Sequence, residues 1–313
     1  MRTLGLDTSN YTTSAAVFDG QTGRNRGKLL EVKPGEKGLR QSDALFQHVK
    51  ALPDRMEELR EGGFLEDIAA VAASTRPRAV EGSYMPCFLA GESLGRSLAA
   101  AFGVPFFPVS HQQGHLAAAA WSAGRMELLD APFLAWHLSG GTTELLYVEP
   151  EGPNVKAVCI GGTTDISAGQ LIDRAGVMLG LDFPAGKALD ALSQDCSDRP
   201  KPFKVRLNGL EFSLSGVENQ VQSLVQKGES PPQVAAFVLD TVADLICRAT
   251  AEAQAMYPGL PLLCSGGVAS NTRLRAVLTQ FCGAIFAESQ YSTDNALGVA
   301  ILCHRLGTKN MEE

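Results

Sequence analysis

Two histidines four residues apart carry the first chemical signal in this chain. In Val109-Ser-His111-Gln-Gln-Gly-His115-Leu, spacing i, i+4 on a helix puts both imidazoles on one face, where they can share a metal ion. The same pair also fits two half-exposed polar helix residues with no ligand. Position 112 is Gln, so the general base that an HExxH zinc peptidase carries there is missing. Asp294, in Ser292-Thr-Asp-Asn295, is either a distant carboxylate ligand or an N-cap for the last helix.

Three turns of small residues suit anionic ligands. Asp7-Thr8-Ser9 ends the first strand. An Asp there can hold a metal ion or its water, and the hydroxyls and amides that follow can contact phosphate oxygens, although a capped turn has the same composition. In Leu138-Ser139-Gly140-Gly141-Thr142, paired glycines let the backbone approach a phosphate or a carbonyl, or simply close a hairpin. Ser265-Gly266-Gly267-Val268-Ala269-Ser270-Asn271 leads from a strand into a helix whose N-terminus favours a nucleotide or another anion. Neither GxxxxGK[ST] nor GxGxxG occurs, which excludes a Walker loop and a dinucleotide fingerprint. Asp173 sits in a helical stretch before Leu181-Asp-Phe-Pro-Ala-Gly186; alone, each is an ordinary solvated carboxylate and loop. No spacing announces a Ser/His/Asp triad or a Cys/His pair.

The elements that must position these groups follow from periodicity. Thr3–Asp7 and Thr13–Phe18 read as strands joined by a polar turn. Phe133–Ser139 and Thr143–Val148 repeat that pattern around Gly140-Gly141. Further strands are expected at Ile68–Ser74, Pro105–Val109 and Pro261–Ser265. Helices are expected from Ser42, kinked or split at Pro53, and at Ala90–Phe102, Ser110–Trp121, Ser167–Leu181, Val217–Gln226, Pro232–Met256, Asn271–Phe281 and Asn295–Leu306. The result is an α/β chain of two lobes meeting at a cleft: residues 1–108 with the C-terminal helix 295–313 packing back on them, and residues 109–294.

Bulk composition agrees. The 313 residues, 45% hydrophobic and 19% charged, are ordinary for a folded protein and exclude disorder. The seven cysteines, an odd count without CxxC, read as reduced, buried thiols of a cytoplasmic protein. Residues 1–7 read as a strand and lack a secretory signal's apolar region. No apolar run approaches the length of about 18 residues that a membrane span needs. A net charge of −7 runs against RNA binding by the general surface, so an RNA partner requires a local basic patch or another subunit.

In this order the motifs resemble the TsaD (glycoprotease) family, on the fold shared by actin, Hsp70 and sugar kinases. Leu4–Ser9 is similar to its opening strand and phosphate turn, Gly91–Ala100 to the helix before its metal motif, and His111–His115 to its His-x-x-Gly-His run. Leu138–Gly141 is similar to its second phosphate loop, Leu179–Pro184 to the segment after its ligand-binding Asp, and Phe212–Gly216 to a core signature. Gly266–Asn271 with Leu274-Arg275 is similar to its adenosine loop, and Thr293-Asp-Asn295 to its third metal ligand.

The resemblance implies a divalent iron or zinc ion on His111, His115 and Asp294, with magnesium a further candidate. It implies an ATP-derived adenylate, threonylcarbamoyl-AMP, on Leu138, Ser139, Gly140, Gly141, Asp173, Gly186, Gly266, Gly267 and Asn271. The acceptor would be the exocyclic amine of a tRNA adenosine beside the anticodon, and the partners a TsaB-like paralogue and a TsaE-like ATPase. Departures from the family pattern fall at Asn10, Tyr11 and Thr12, at Arg76 and Arg78, and at Thr142, Ala185 and Glu218. They keep open a divergent paralogue acting on another acceptor. A small-molecule kinase of the same fold leaves the two histidines unexplained, and a non-catalytic scaffold leaves the metal ligands without use.

Overall fold

The computed structural model describes the whole chain except Asn10, residues 33–38, Thr293 and Glu313, together with the side chains of 310–312. Asn10 and Thr293, singled out above, therefore lie outside the described residues. By internal contacts the chain forms two units: Met1–Ala131 with Glu149–Ala157 and Thr293–Glu313, and Pro132–Val148 with Val158–Ser292.

The first unit is built on β1 (Arg2–Asp7), β2 (Thr12–Phe18), β3 (Gly23–Leu29), β4 (Ile68–Arg76) and β5 (Phe106–Ser110). Among the described residues they form one sheet in the order β3-β2-β1-β4-β5. Central β1 is buried from Thr3 to Asp7, as expected for a strand covered on both faces. It pairs antiparallel with β2 (Leu4↔Val17) and parallel with β4 (Leu4↔Val71). The helices α1 (Gln41–Glu61), α2 (Phe88–Phe102) and α3 (His111–Ser122) belong to the same unit. Leu4, Leu6, Val17, Leu52, Leu59 and Val71 form its core.

Of the kink or split expected at Pro53, the split does not occur: α1 runs through it. A continuous buried face of Ala44, His48, Ala51, Leu52, Arg55 and Leu59 outweighs the one hydrogen bond a proline removes. Nor does Ser42 cap this helix, which starts at Gln41 after Arg40 without a side-chain cap.

The second sheet has the order β11-β10-β6-β7-β8-β9 among the described residues. Its strands are β6 (Phe133–Leu138), β7 (Thr143–Glu151), β8 (Asn154–Thr163), β9 (Glu211–Phe212), β10 (Leu262–Ser265) and β11 (Ile285–Phe286). The hairpin β6–β7 is antiparallel, and β10 runs parallel to β6 with Ser265 opposite His137. Around it lie α4 (Ala168–Met178), α5 (Gly186–Gln194), α6 (Ser215–Gln226), α7 (Pro231–Met256) and α8 (Thr272–Cys282). Trp136, fully buried in this core, donates from Nε1 to Thr250 Oγ1 of α7 at 2.8 Å. The last helix, α9 (Leu297–Glu312), starts two residues later than expected and packs on β1, where Thr3 Oγ1 donates to the Ala300 carbonyl at 2.8 Å.

The helix α3, placed at the start of the second lobe from sequence, counts with the first unit because it packs along α9. The two helices touch at Gly114 and Gly298, where a Cβ on Gly298 would collide with the Gly114 carbonyl. No described helix is long and apolar enough to cross a membrane. All seven cysteines are free thiols, five of them buried.

Candidate metal centre and glycine loops

Helix α3 begins where the chemistry needs it. Ser110 ends β5 and forms a capping box: its Oγ accepts from Gln113 N at 3.2 Å, and the Gln113 side chain accepts from Ser110 N at 2.8 Å. This fixes His111 as the first helical residue and His115 one turn later. Their Nε2 atoms lie 2.8 Å apart. Asp294 Oδ1 is 3.6 Å from His111 Nε2 and 3.4 Å from His115 Nε2. Among the described residues this is the one group of three or more His, Cys, Asp or Glu donors gathered within 4.8 Å. It lies wholly in the first unit.

Asp7 stands behind it. Its Oδ2 is 2.8 Å from His111 Nδ1, while Oδ1 accepts from Ser9 N at 2.8 Å. A carboxylate on Nδ1 fixes the tautomer that turns the Nε2 lone pair toward an ion. Burial opposes charge on His111, but the Asp7 and Asp294 carboxylates outweigh it and raise His111 to about 10. Burial likewise opposes charge on Asp294, and its contacts to His111 and then His115 hold it well below the usual carboxylate range. Two imidazoles and one carboxylate, with a carboxylate behind one ring, fit an iron or zinc ion that keeps an open position for a ligand.

The first turn, expected to hold phosphate, is otherwise engaged within its own unit. Asp7 serves His111. Thr8 Oγ1 donates to the Cys87 carbonyl at 3.0 Å and accepts from Gly91 N at 3.1 Å. The buried Ser9 hydroxyl stands beside the Asp7 carboxylate and, with the Ser9 amide, helps to hold its pKa down.

The other predicted residues lie in the second unit: Leu138–Gly141 and Gly266–Asn271 at the ends of β6 and β10, Asp173 in α4 and Gly186 at the start of α5. The Leu138–Thr142 turn closes through Ser139 N to the Thr142 carbonyl at 2.8 Å. Ser167, the N-cap of α4, donates to the Gly140 carbonyl at 2.7 Å and so fastens the turn to that helix. Gly266, at φ 98°, packs where any Cβ would strike the Leu138 carbonyl. Added Cβ atoms at Gly140, Gly141 and Gly267 would meet nothing within 4 Å. One set of glycines is thus demanded by packing, and the other leaves the backbone bare. Asn271 caps α8, accepting from Leu274 N at 3.0 Å. Asp173 accepts from Ala185 N at 2.8 Å, holding the segment that leads to Gly186 at the start of α5.

Some departures have local partners. Glu218 pairs with Arg174 at 2.8 Å, and the Ala185 Cβ fills the space beside Gly176. The Arg76-Pro77-Arg78 segment is tied to α3 by Gln112 N donating to the Pro77 carbonyl at 3.0 Å.

Two carboxylates escaped the sequence reading. Asp165 accepts from Ser213 Oγ at 2.5 Å and Leu214 N at 2.8 Å, and also from the amide and hydroxyl of Ser215, so it holds the Phe212–Gly216 signature. Asp190 of α5 accepts from Thr272 N and Oγ1 at 2.9 and 2.8 Å. Both act over sequence separations that no local pattern encodes.

Duplicated sheets that begin with an antiparallel hairpin and continue with parallel strands define the class: an actin/Hsp70/sugar-kinase-like fold. Solved structures agree on that fold. HypF in a phosphate- and nucleotide-bound form matches 99% of this chain and 56% of its own at TM-score 0.63 and 13% identity. A ROK family glucokinase from Streptomyces griseus matches 97% and 100% at TM-score 0.51 and 13% identity.

Sequence comparison narrows the class to a family. The family model described as TsaD, tRNA N6-adenosine threonylcarbamoyltransferase, matches residues 36–301, and the chain belongs to that family. Proteins of the same description from Granulibacter bethesdensis and Streptococcus suis are each 32% identical. The alignments cover 95% of this chain and 86% of the first relative, and 94% of both chains for the second. A Streptococcus pneumoniae relative is 38% identical over 87% of this chain and 81% of its own length.

Proposed function

We propose that this chain transfers a threonylcarbamoyl group from an adenylate to the exocyclic amine of a tRNA adenosine beside the anticodon. One observation carries the reading: relatives described by that activity align over almost the whole of this chain and of themselves. The geometry supports it, because a metal-fitting donor set and a bare-glycine cradle are both present.

His111, His115 and Asp294 would hold the ion, iron or zinc. When bound, it supplies Lewis acidity toward an oxygen of the transferred group. Asp7 keeps the His111 ring in its ligating tautomer. In the second unit, the open amides of Gly140, Gly141 and Gly267 donate to the adenylate's phosphate, and the dipoles of α4 and α8 favour its negative charge. Leu138, Ser139, Asp173, Gly186 and Asn271 shape that cradle. Small partner proteins, a TsaB-like paralogue and a TsaE-like ATPase, assist in the cytoplasm.

The test is mass spectrometry of tRNA nucleosides from cells depleted of this protein. Threonylcarbamoyl-adenosine disappears, and returns with the wild type but not with Asp294→Ala. A nucleoside level untouched by depletion would overturn the reading.

A further inference from the structure

Residues 199–206, Arg-Pro-Lys-Pro-Phe-Lys-Val-Arg, hold four cations and no acid in a chain of net charge −7. They form no helix or strand, yet they are firmly anchored in the second unit. Arg199 grips the buried carboxylate of Asp240 with two nitrogens at 2.7 and 3.2 Å. Phe203 N donates to Thr241 Oγ1 at 2.9 Å, and Arg248 donates to the Val205 carbonyl at 2.9 Å. Val205 itself is buried.

The remaining cations have no such employment. Lys201, Lys204 and Arg206 are exposed, and their side chains make no ion pair or hydrogen bond with a described residue. Like charges so close together repel, and an ordinary surface intersperses acids among them. Here Lys204 and Arg206 join Arg248 along an open groove of about 590 Å³, floored by Val205 and Ala251 and facing one acid, Glu252. Arg248 is already paired with Asp244 at 2.8 Å.

The ribbon is also tied to the glycine cradle. Asp240 accepts from Arg273 at 2.5 Å as well as from Arg199. Arg273 stands in the first turn of α8, two residues after Asn271. One buried carboxylate therefore joins the start of the basic ribbon to the loop that would hold the nucleoside.

We infer that Lys201, Lys204 and Arg206 form a contact surface for the sugar-phosphate backbone of the substrate RNA. This rests on the proposed tRNA activity and locates the local positive charge that the acidic composition requires. The rigid anchoring keeps the cations presented before binding, which lowers the ordering cost of association. The surface reads charge and not sequence, so it strengthens binding to tRNAs alike.

The experiment measures binding of the full chain to total tRNA by filter retention across a salt series. The variant is Lys201→Gln/Lys204→Gln/Arg206→Gln, whose sites are exposed and distant in sequence from the donor triad. Each lost phosphate contact removes about 0.7 from the slope of log affinity against log salt for a single strand. The variant's slope is therefore expected to be shallower by about 2, with affinity at about 100 mM salt at least tenfold weaker. Melting temperature and bound metal stay at wild-type values.

An unchanged slope and affinity overturn the assignment. If depleted cells lose the modified nucleoside and the variant restores it with a wild-type KM for tRNA, only this surface fails. If the wild type binds no tRNA and depletion leaves the nucleoside intact, both proposals fail. Loss of a co-purifying acidic protein with unaltered RNA binding reassigns the ribbon to a protein partner and overturns it too.

Discussion

The donor triad of the first unit and the glycine cradle of the second are built from opposite materials. The triad consists of side chains: three donor atoms within 4.8 Å and a buried carboxylate behind one of them. The cradle is backbone, shaped by what glycines leave out and by helix caps. The first is destroyed by removing atoms and the second by adding them. The difference teaches that conservative substitution has no single meaning across one protein.

The largest effect is expected at the triad. Asp294→Ala should abolish both bound metal and nucleoside formation, read by metal analysis of the purified chain and by tRNA mass spectrometry. A variant that keeps full activity without metal would end the distinction between the two regions.

Within the cradle, Gly266→Ala is expected to cost about 3 kcal/mol of stability, because its φ of 98° and the Leu138 carbonyl both resist a Cβ. Thermal or urea unfolding reads this. Gly267, one residue later, has φ −61° and open space. Gly267→Ala should leave stability within about 0.5 kcal/mol of wild type. Adenylate affinity, by calorimetry, should nevertheless fall about tenfold, or 1.4 kcal/mol. Equal destabilisation by both changes would make the loop a packing feature only.

Behind the triad, Asp7→Ala should weaken metal affinity about 10- to 100-fold. Asp7→Asn, which keeps an acceptor for His111 Nδ1, should lose less. Equal losses would argue that Asp7 acts through its charge alone.

The smallest effect concerns Asp165. Burial raises its pKa, but hydrogen bonds from Ser213 and Ser215 outweigh this and hold it well below the usual carboxylate range. A carboxyl with a depressed folded-state pKa stabilises above its unfolded value of about 3.9, and that contribution is lost as pH falls through the folded value. Asp165→Asn should therefore cost about 1 kcal/mol near neutrality, discounted for its exposure. The melting-temperature gap should stay constant from about pH 7 to 5 and close below about pH 4. A gap that persists unchanged into acid would show that the charge of Asp165 is not what stabilises the segment.

Legibility followed the same division of materials. The pair His111 and His115 and the glycine loops were visible because helical spacing and small-residue runs are local. The link from Asp7 to His111 was not, since 104 residues separate them and only the neighbouring strands β1, β4 and β5 bring them together. The strand β3, Gly-Arg-Asn-Arg-Gly-Lys-Leu, has no apolar alternation and exists through its pairing with β2 at the sheet edge. The helix α5 hid behind Pro184 and Gly186, which read as loop; its apolar signal is little more than Leu189 and Leu192 over nine residues. The strand β8 carries no period-two signal, because its exposed and buried positions do not alternate.

The crossing of α3 and α9 at Gly114 and Gly298 has a consequence for the chain as a polymer. Asp294 precedes α9 by a single turn, and His115 adjoins Gly114, so an ion at the triad would clamp the tail of the chain to its first third. Such a clamp works as a reversible staple across a very long loop, the case in which closure removes the most freedom from the unfolded chain. Chelation would then be felt as a lower melting temperature, although Leu297, Val299, Ala300 and Ile301 keep α9 buried without the ion. Metal supply would thereby bear on the stability of the protein as well as on its rate.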